Sequence, residues 1–228
     1  MNLEKKITHY LKEKMSLDMD SAHDLGHLKR VASNCKNIHS KEGGNLDVLI
    51  VSSYFHDIVS LPKNDPNRKR SSKLAASKTL DILQQYFPEF PARLYPNVEE
   101  AIICHSYSAN HTPHSIEAKI LQDADRLDAL GAIGLARVFY IAGKLNQSLF
   151  DISDPFSKHR ELDDKTFALD HFKTKLLKLK STMNTNEGRR LAEINSIFLI
   201  NYMSKLASEL NGDFECYDIK IKDELHDY

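Results

Sequence analysis

The three cysteines of this sequence suggest neither a zinc knuckle nor a disulfide framework. Cys35, Cys104 and Cys216 are odd in number, far apart, and include no CxxC pair, a pattern that fits a reducing cytosol. An excess of either charge is lacking too: 31 lysines and arginines face 32 aspartates and glutamates, for a net charge of -1. That balance argues against a general nucleic-acid binder, although a local basic patch can still meet a phosphate. The opening residues, Met1-Asn2-Leu3-Glu4-Lys5-Lys6, lack the apolar core of a signal peptide. No run of about 18 apolar residues occurs, so a membrane-spanning helix is not expected. β alternation of useful length and internal repeats are also missing. The expectation is a cytoplasmic protein with neither membrane nor nucleic acid among its partners.

What is present is helical periodicity. Ile7, Tyr10, Leu11 and Met15 recur at helical spacing, and Leu28, Val31, Ala32 and Cys35 continue a stripe that Gly43-Gly44 ends. Leu46 to Val59 is apolar nearly all round, as a central buried helix should be. Leu61 to Arg70 reads as a loop, and Ser71-Ser72 caps a helix running to about Tyr86. Further helices are expected over Val98 to His105, Ile116 to about Leu145, Phe167 to Met183, and Glu187 to Leu210. Asn146 to Asp164 reads as an insertion or a mobile loop. The fold class is all-α. The 228 residues are enough for one large domain or two small ones; the expectation is a single domain, 1–228, with a core of about 20–145 and C-terminal helices 165–210 packed on it.

Polar residues inside apolar helices carry the functional signal. His56 and Asp57 end the buried helix. Neighbours on a helix point about 100° apart, so both reach one ion only near a bend or a helix end. Imidazole and carboxylate together suit a borderline divalent cation. The plainer reading is that His56 caps the helix and Asp57 marks its end. His27 lies one turn after His23 and falls inside the apolar stripe. Asp123, Asp125 and Asp128 share one expected helix, and Asp125, between Ala124 and Leu127, is read as the inward one. Asp125 can alternatively pair with Arg30 or Arg126. Lys63, Arg68 and Arg70 follow the His-Asp pair, where they would clasp a polyphosphate or form a solvated basic face.

Taken together, the order His27, His56-Asp57, Asp125 resembles the HD-domain phosphohydrolase superfamily. Its metal ligands are a histidine, a His-Asp pair and a distant aspartate on separate helices. His23-Asp24-Leu25-Gly26-His27-Leu28-Lys29-Arg30-Val31 looks like the family's first helix, and Gln122-Asp123-Ala124-Asp125-Arg126-Leu127-Asp128-Ala129-Leu130-Gly131 like its last ligand helix. The chain is most similar to the small bacterial YpgQ/YedJ-like nucleotide hydrolases. It shares with them the Ile103-Cys104-His105-Ser106 stretch and the helices from Phe172 to Arg190.

The resemblance implies an HD-domain helical bundle with a buried metal site and additional C-terminal helices. His27, His56, Asp57 and Asp125 would hold a divalent metal ion, manganese or magnesium first, with iron, nickel or cobalt accommodated. The implied activity is a metal-dependent phosphohydrolase acting on nucleotides, a (d)NTP pyrophosphohydrolase or phosphatase using a metal-bound water. Asp24 would orient His27 or activate water, and His23 and His105 are the proton-transfer candidates. The glutamate that some HD nucleotidases carry shortly after the pair is replaced by Ile58-Val59-Ser60-Leu61, so no general base carries over. The alternatives are a cyclic-nucleotide or other phosphodiesterase, and a non-catalytic regulatory module that binds a nucleotide. Apolar positions on the last helices would allow a homodimer.

Overall fold

The computed structural model describes residues 2–14, 25–61, 65, 67–106, 111–226 and 228. Among them the chain is all-α: α1 (Leu3–Lys14), α2 (Leu25–Glu42), α3 (Leu46–Phe55), α4 (Ser71–Tyr86), α5 (Tyr95–His105), α6 (Ile116–Leu127), α7 (Gly131–Lys144), α8 (Asp170–Thr174), α9 (Asn186–Leu210) and α10 (Ile219–His226). Among the described residues, the pairing of extended backbone is confined to one isolated bridge, Ser148 with Phe167. None of these helices is long and apolar enough to cross a membrane. Two compact units result, the first Met1–Asp125 with Asn184–Gly188, the second Arg126–Met183 with Arg189–Tyr228.

The first unit is built around α3. Every residue from Val48 to Phe55 is buried, and α1, α2, α4 and α5 all pack against it. The uniform apolar character read from the sequence therefore has its expected cause: partners on several sides. Asn45 caps the start of α3, accepting a hydrogen bond from the Val48 amide at 3.1 Å. Glu117 fixes the cap in turn by accepting from the Asn45 amide at 2.6 Å. α1 is pinned by the buried Ile7 and Leu11 and by Glu4, which accepts from Lys36 and from the Tyr54 hydroxyl.

In the second unit the structure corrects two expectations. The long helix expected from Ile116 breaks after Leu127 and restarts at Gly131. Gly131 holds a φ of 64°, a left-handed conformation that glycine adopts without a Cβ penalty. Asp128 is buried beside that break and accepts from Arg137 at 2.6 Å, which holds the corner. The helix expected over Phe167 to Met183 is instead the short α8 followed by a 3₁₀ segment, Leu176–Thr182. The residues from Asn146 to Asp164 are irregular, as read from the sequence, and hydrogen bonds tie them down. Arg160 makes a two-pronged contact with the buried Asp170, and Gln147 donates to the Asp164 and Lys165 carbonyls. On α9, Ile194, Ile197 and Phe198 are exposed.

Candidate metal centre

Helix ends assemble this site. α3 finishes at Phe55, so His56 occupies the cap position and Asp57 lies in the turn beyond it. The pair thus stands at a helix end. The His56 ring donates from Nδ1 to the Ser53 carbonyl at 2.9 Å, one of the carbonyls that a helix C-terminus leaves without a partner. His105 repeats the device at the end of α5, with Nδ1 2.6 Å from the Ile102 carbonyl. A carbonyl can only accept, so each bond places the ring hydrogen on Nδ1. In a neutral ring Nε2 then keeps its lone pair, and in a protonated one it is a second donor.

Those Nε2 atoms point into one cluster. His27, from the first turn of α2, brings its Nε2 to 3.3 Å from that of His56. Asp125, from the last turn of α6, places Oδ1 3.5 Å from His27 Nε2 and 3.9 Å from His56 Nε2. Asp57 Oδ2 lies 3.6 Å from His56 Nε2 and 4.0 Å from His27 Nε2. Its other oxygen, Oδ1, lies 3.4 Å from His105 Nε2. Ligands on one ion at about 2.1 Å stand about 3.0–3.5 Å apart, so these separations need only a slight contraction. Two triads have their donor atoms within 4.8 Å of one another, His27 with His56 and Asp125, and His56 with Asp57 and His105. Electron-rich nitrogens and carboxylate oxygens turned toward each other in a buried place fit a dication.

The electrostatics agree with that donor set. Burial pushes the His56 ring down to about 4, against the pull of Asp57 and Asp125 and with the help of His105 and His27. His56 is therefore neutral near pH 7, the form in which imidazole ligates. Burial also opposes charge on His105, but its hydrogen bond to Asp57 and the Asp57 and Asp125 charges together raise it above the ordinary histidine value. The rings are sealed while the carboxylates are not: side-chain exposure is 2% for His27 and 0% for His56, against 19% for Asp57 and 28% for Asp125. The open approach is over the carboxylates.

Of the residues singled out from the sequence, His27, His56, Asp57, Asp125 and His105 come together here. Asp123 does not join them; it is fully buried and bonded to the 184–185 segment. Arg68 donates to the Leu61 carbonyl at 3.0 Å, and Arg70 is exposed. His23, Asp24 and Lys63 lie outside the described residues. Sequence reasoning missed Asn34 and Asn184, whose carboxamides donate to the Ala124 carbonyl and to Gln122 and Asp123. Neither asparagine has a periodicity or motif that marks it.

The HD-domain family model matches residues 24–130. YpgQ of Bacillus subtilis, a protein described as uncharacterised, is 32% identical over 197 residues, covering 86% of this chain and 88% of YpgQ. The chain belongs to the HD-domain superfamily. Solved structures of this superfamily share its fold. An HD-superfamily hydrolase from Bacillus thuringiensis is 30% identical with a TM-score of 0.68, over 91% of this chain and 96% of that one. The crystal structure of Bacillus subtilis YpgQ in complex with ADP is 29% identical with a TM-score of 0.68, over 90% and 94%. The all-α HD fold read from the sequence is thus the fold of the chain.

Proposed function

We propose that this HD-domain protein is a metal-dependent phosphohydrolase of nucleotides, a (d)NTP pyrophosphohydrolase or phosphatase. The observation that carries the reading is the convergence of His27, His56, Asp57 and Asp125 in one buried cluster open on its carboxylate side. The mixed nitrogen and oxygen donors suit manganese or magnesium. When bound, such an ion supplies Lewis acidity toward a phosphoryl oxygen and acidifies water. YpgQ's complex with ADP supports a nucleotide as the ligand class.

The chain's own residues supply the rest. Ser53 and Ile102 fix the His56 and His105 rings through Nδ1, so their Nε2 atoms are held toward the cluster without reorganisation. The Asp57 and Asp125 carboxylates would balance a dication, leaving the site able to accept an anionic phosphate. His105, bonded to Asp57 Oδ1, holds a proton within reach of the cluster and can deliver it to a leaving oxygen. Arg70, exposed after the pair, is available to a polyphosphate, and Arg68 braces the same turn through the Leu61 carbonyl.

The deciding experiment is product analysis on a nucleotide panel with chelated, manganese-reloaded protein beside Asp57→Ala. Metal-dependent release of pyrophosphate or phosphate, lost in the variant, is the expected result, and the product names the bond cut. Silence across triphosphates, monophosphates and cyclic nucleotides, with metal still bound, would replace the enzyme by a regulatory nucleotide-binding module.

A further inference from the structure

Asp123 and Asp125 are two residues apart on α6, about 200° around the helix. Only one of them can face the histidines, and the rotation of α6 about its axis decides which. A turn of about 20° would swing a side-chain tip by about 2 Å, close to a whole metal–ligand bond. Something must hold that rotation.

Three consecutive residues immediately before Asp125 are pinned. Asp123 accepts at 2.8–3.1 Å from the Asn184 amide and carboxamide and from the Thr185 amide and hydroxyl. Gln122 donates to the Cys104 carbonyl at 2.6 Å and accepts from the Asn184 carboxamide at 2.8 Å. The Ala124 carbonyl accepts from Asn34 of α2 at 3.1 Å. A continuous chain therefore runs from Asn184 through Gln122 to the residue that precedes His105. A separate tie joins α6 to the helix that carries His27. We infer that Asn184 and Gln122 are positioning residues of the metal centre: their carboxamides fix α6 so that Asp125 faces His27 and His56. The inference rests on the metal reading given above.

A purely architectural role would make the same bonds, so the test must separate affinity from stability. Asn184→Ala removes the carboxamide donations but leaves both backbone amides and the Thr185 hydroxyl on Asp123. Gln122→Met breaks the chain from its other end at similar volume. Thr185→Val removes an Asp123 bond and the Thr185 hydroxyl that caps the Gly188 amide at 2.9 Å, without touching Gln122. Manganese dissociation constants by titration calorimetry, with melting temperatures of the chelated proteins, read both quantities.

Weakening of about tenfold is expected for Asn184→Ala and for Gln122→Met, the scale seen when groups orienting a ligand are lost. The double variant should be no weaker than the worse single one, because both act through one chain. Thr185→Val should melt earlier yet bind manganese within twofold of the wild type. Unchanged affinity in Asn184→Ala and Gln122→Met would overturn the positioning role, as would an equal loss in Thr185→Val. A wild type with no saturable manganese site would overturn the metal reading itself and this inference with it.

Discussion

Asp57 divides its carboxylate: Oδ1 lies 3.4 Å from His105 Nε2, while Oδ2 lies 3.6 Å from His56 Nε2. One residue thus joins the His27–His56 cluster to a histidine on a different helix. The two should respond differently to removal. Asp57→Ala should lose the metal through gel filtration and lose turnover, with its helical circular-dichroism signal intact. His105→Ala should keep metal by elemental analysis while turnover falls by about 10²–10⁴, the usual scale for a proton-transfer group. Loss of metal from His105→Ala would instead make it a ligand.

Metal removal should be visible in stability as well. A ligand at 100 times its dissociation constant stabilises the folded state by about 2.7 kcal/mol. For a chain of this size that corresponds to about 5–10 °C in melting temperature. Chelated wild type should gain that much on adding manganese in a thermal scan, and Asp57→Ala should gain nothing. A wild-type melt indifferent to manganese would speak against the cluster as a metal site.

The sequence already made the cluster legible, because each of its members stands out against an apolar helix: His27 in the α2 stripe, His56-Asp57 at the end of an all-round apolar run, and Asp125 between Ala124 and Leu127. Buried polar groups in such settings need partners, which makes them conspicuous. The interruption at Gly131 was not legible, since Ile116 to Leu145 keeps helical periodicity across it, and a glycine within a helical pattern does not announce a positive φ. Asp123 and Asp125 share residue type and helix, yet the neighbouring Ala124 and Leu127 already mark Asp125 as the inward one. What the pattern does not show is where Asp123 turns instead, to Asn184 and Thr185 on a distant segment.

Gly188 marks how tightly that distant segment is seated. A Cβ there would fall 2.3 Å from Asp123 Oδ2 and 2.7 Å from Thr185 Oγ1. Gly188→Ala must therefore displace the Asp123 carboxylate from donors it satisfies, leaving buried polar groups unpaired at a cost of about 2 kcal/mol. Differential scanning calorimetry should show a melt lowered by about 4–8 °C. An unchanged melt would mean that Asp123 shifts without losing its bonds.

Tyr54 provides an alkaline test of the α1 clamp. Its hydroxyl donates to Glu4 Oε1 at 3.1 Å, and the side chain is buried in the first unit. Burial and the neighbouring Glu4 carboxylate push the phenol up to about 12. A group raised in the folded state contributes its full stability below its ordinary value near 10 and loses it as pH climbs toward the folded value. Tyr54→Phe cannot ionise. At pH 8 it should be the less stable protein by about 1 kcal/mol, the net worth of one hydrogen bond. Between pH 10 and 12 the wild type alone gives up the phenol's contribution, so the gap should narrow. Groups shared by both proteins cancel in the difference. Urea titrations of the pair at pH 8 and pH 11 measure it directly, and a gap that stays constant would show that the phenol ionises as freely in the fold as out of it.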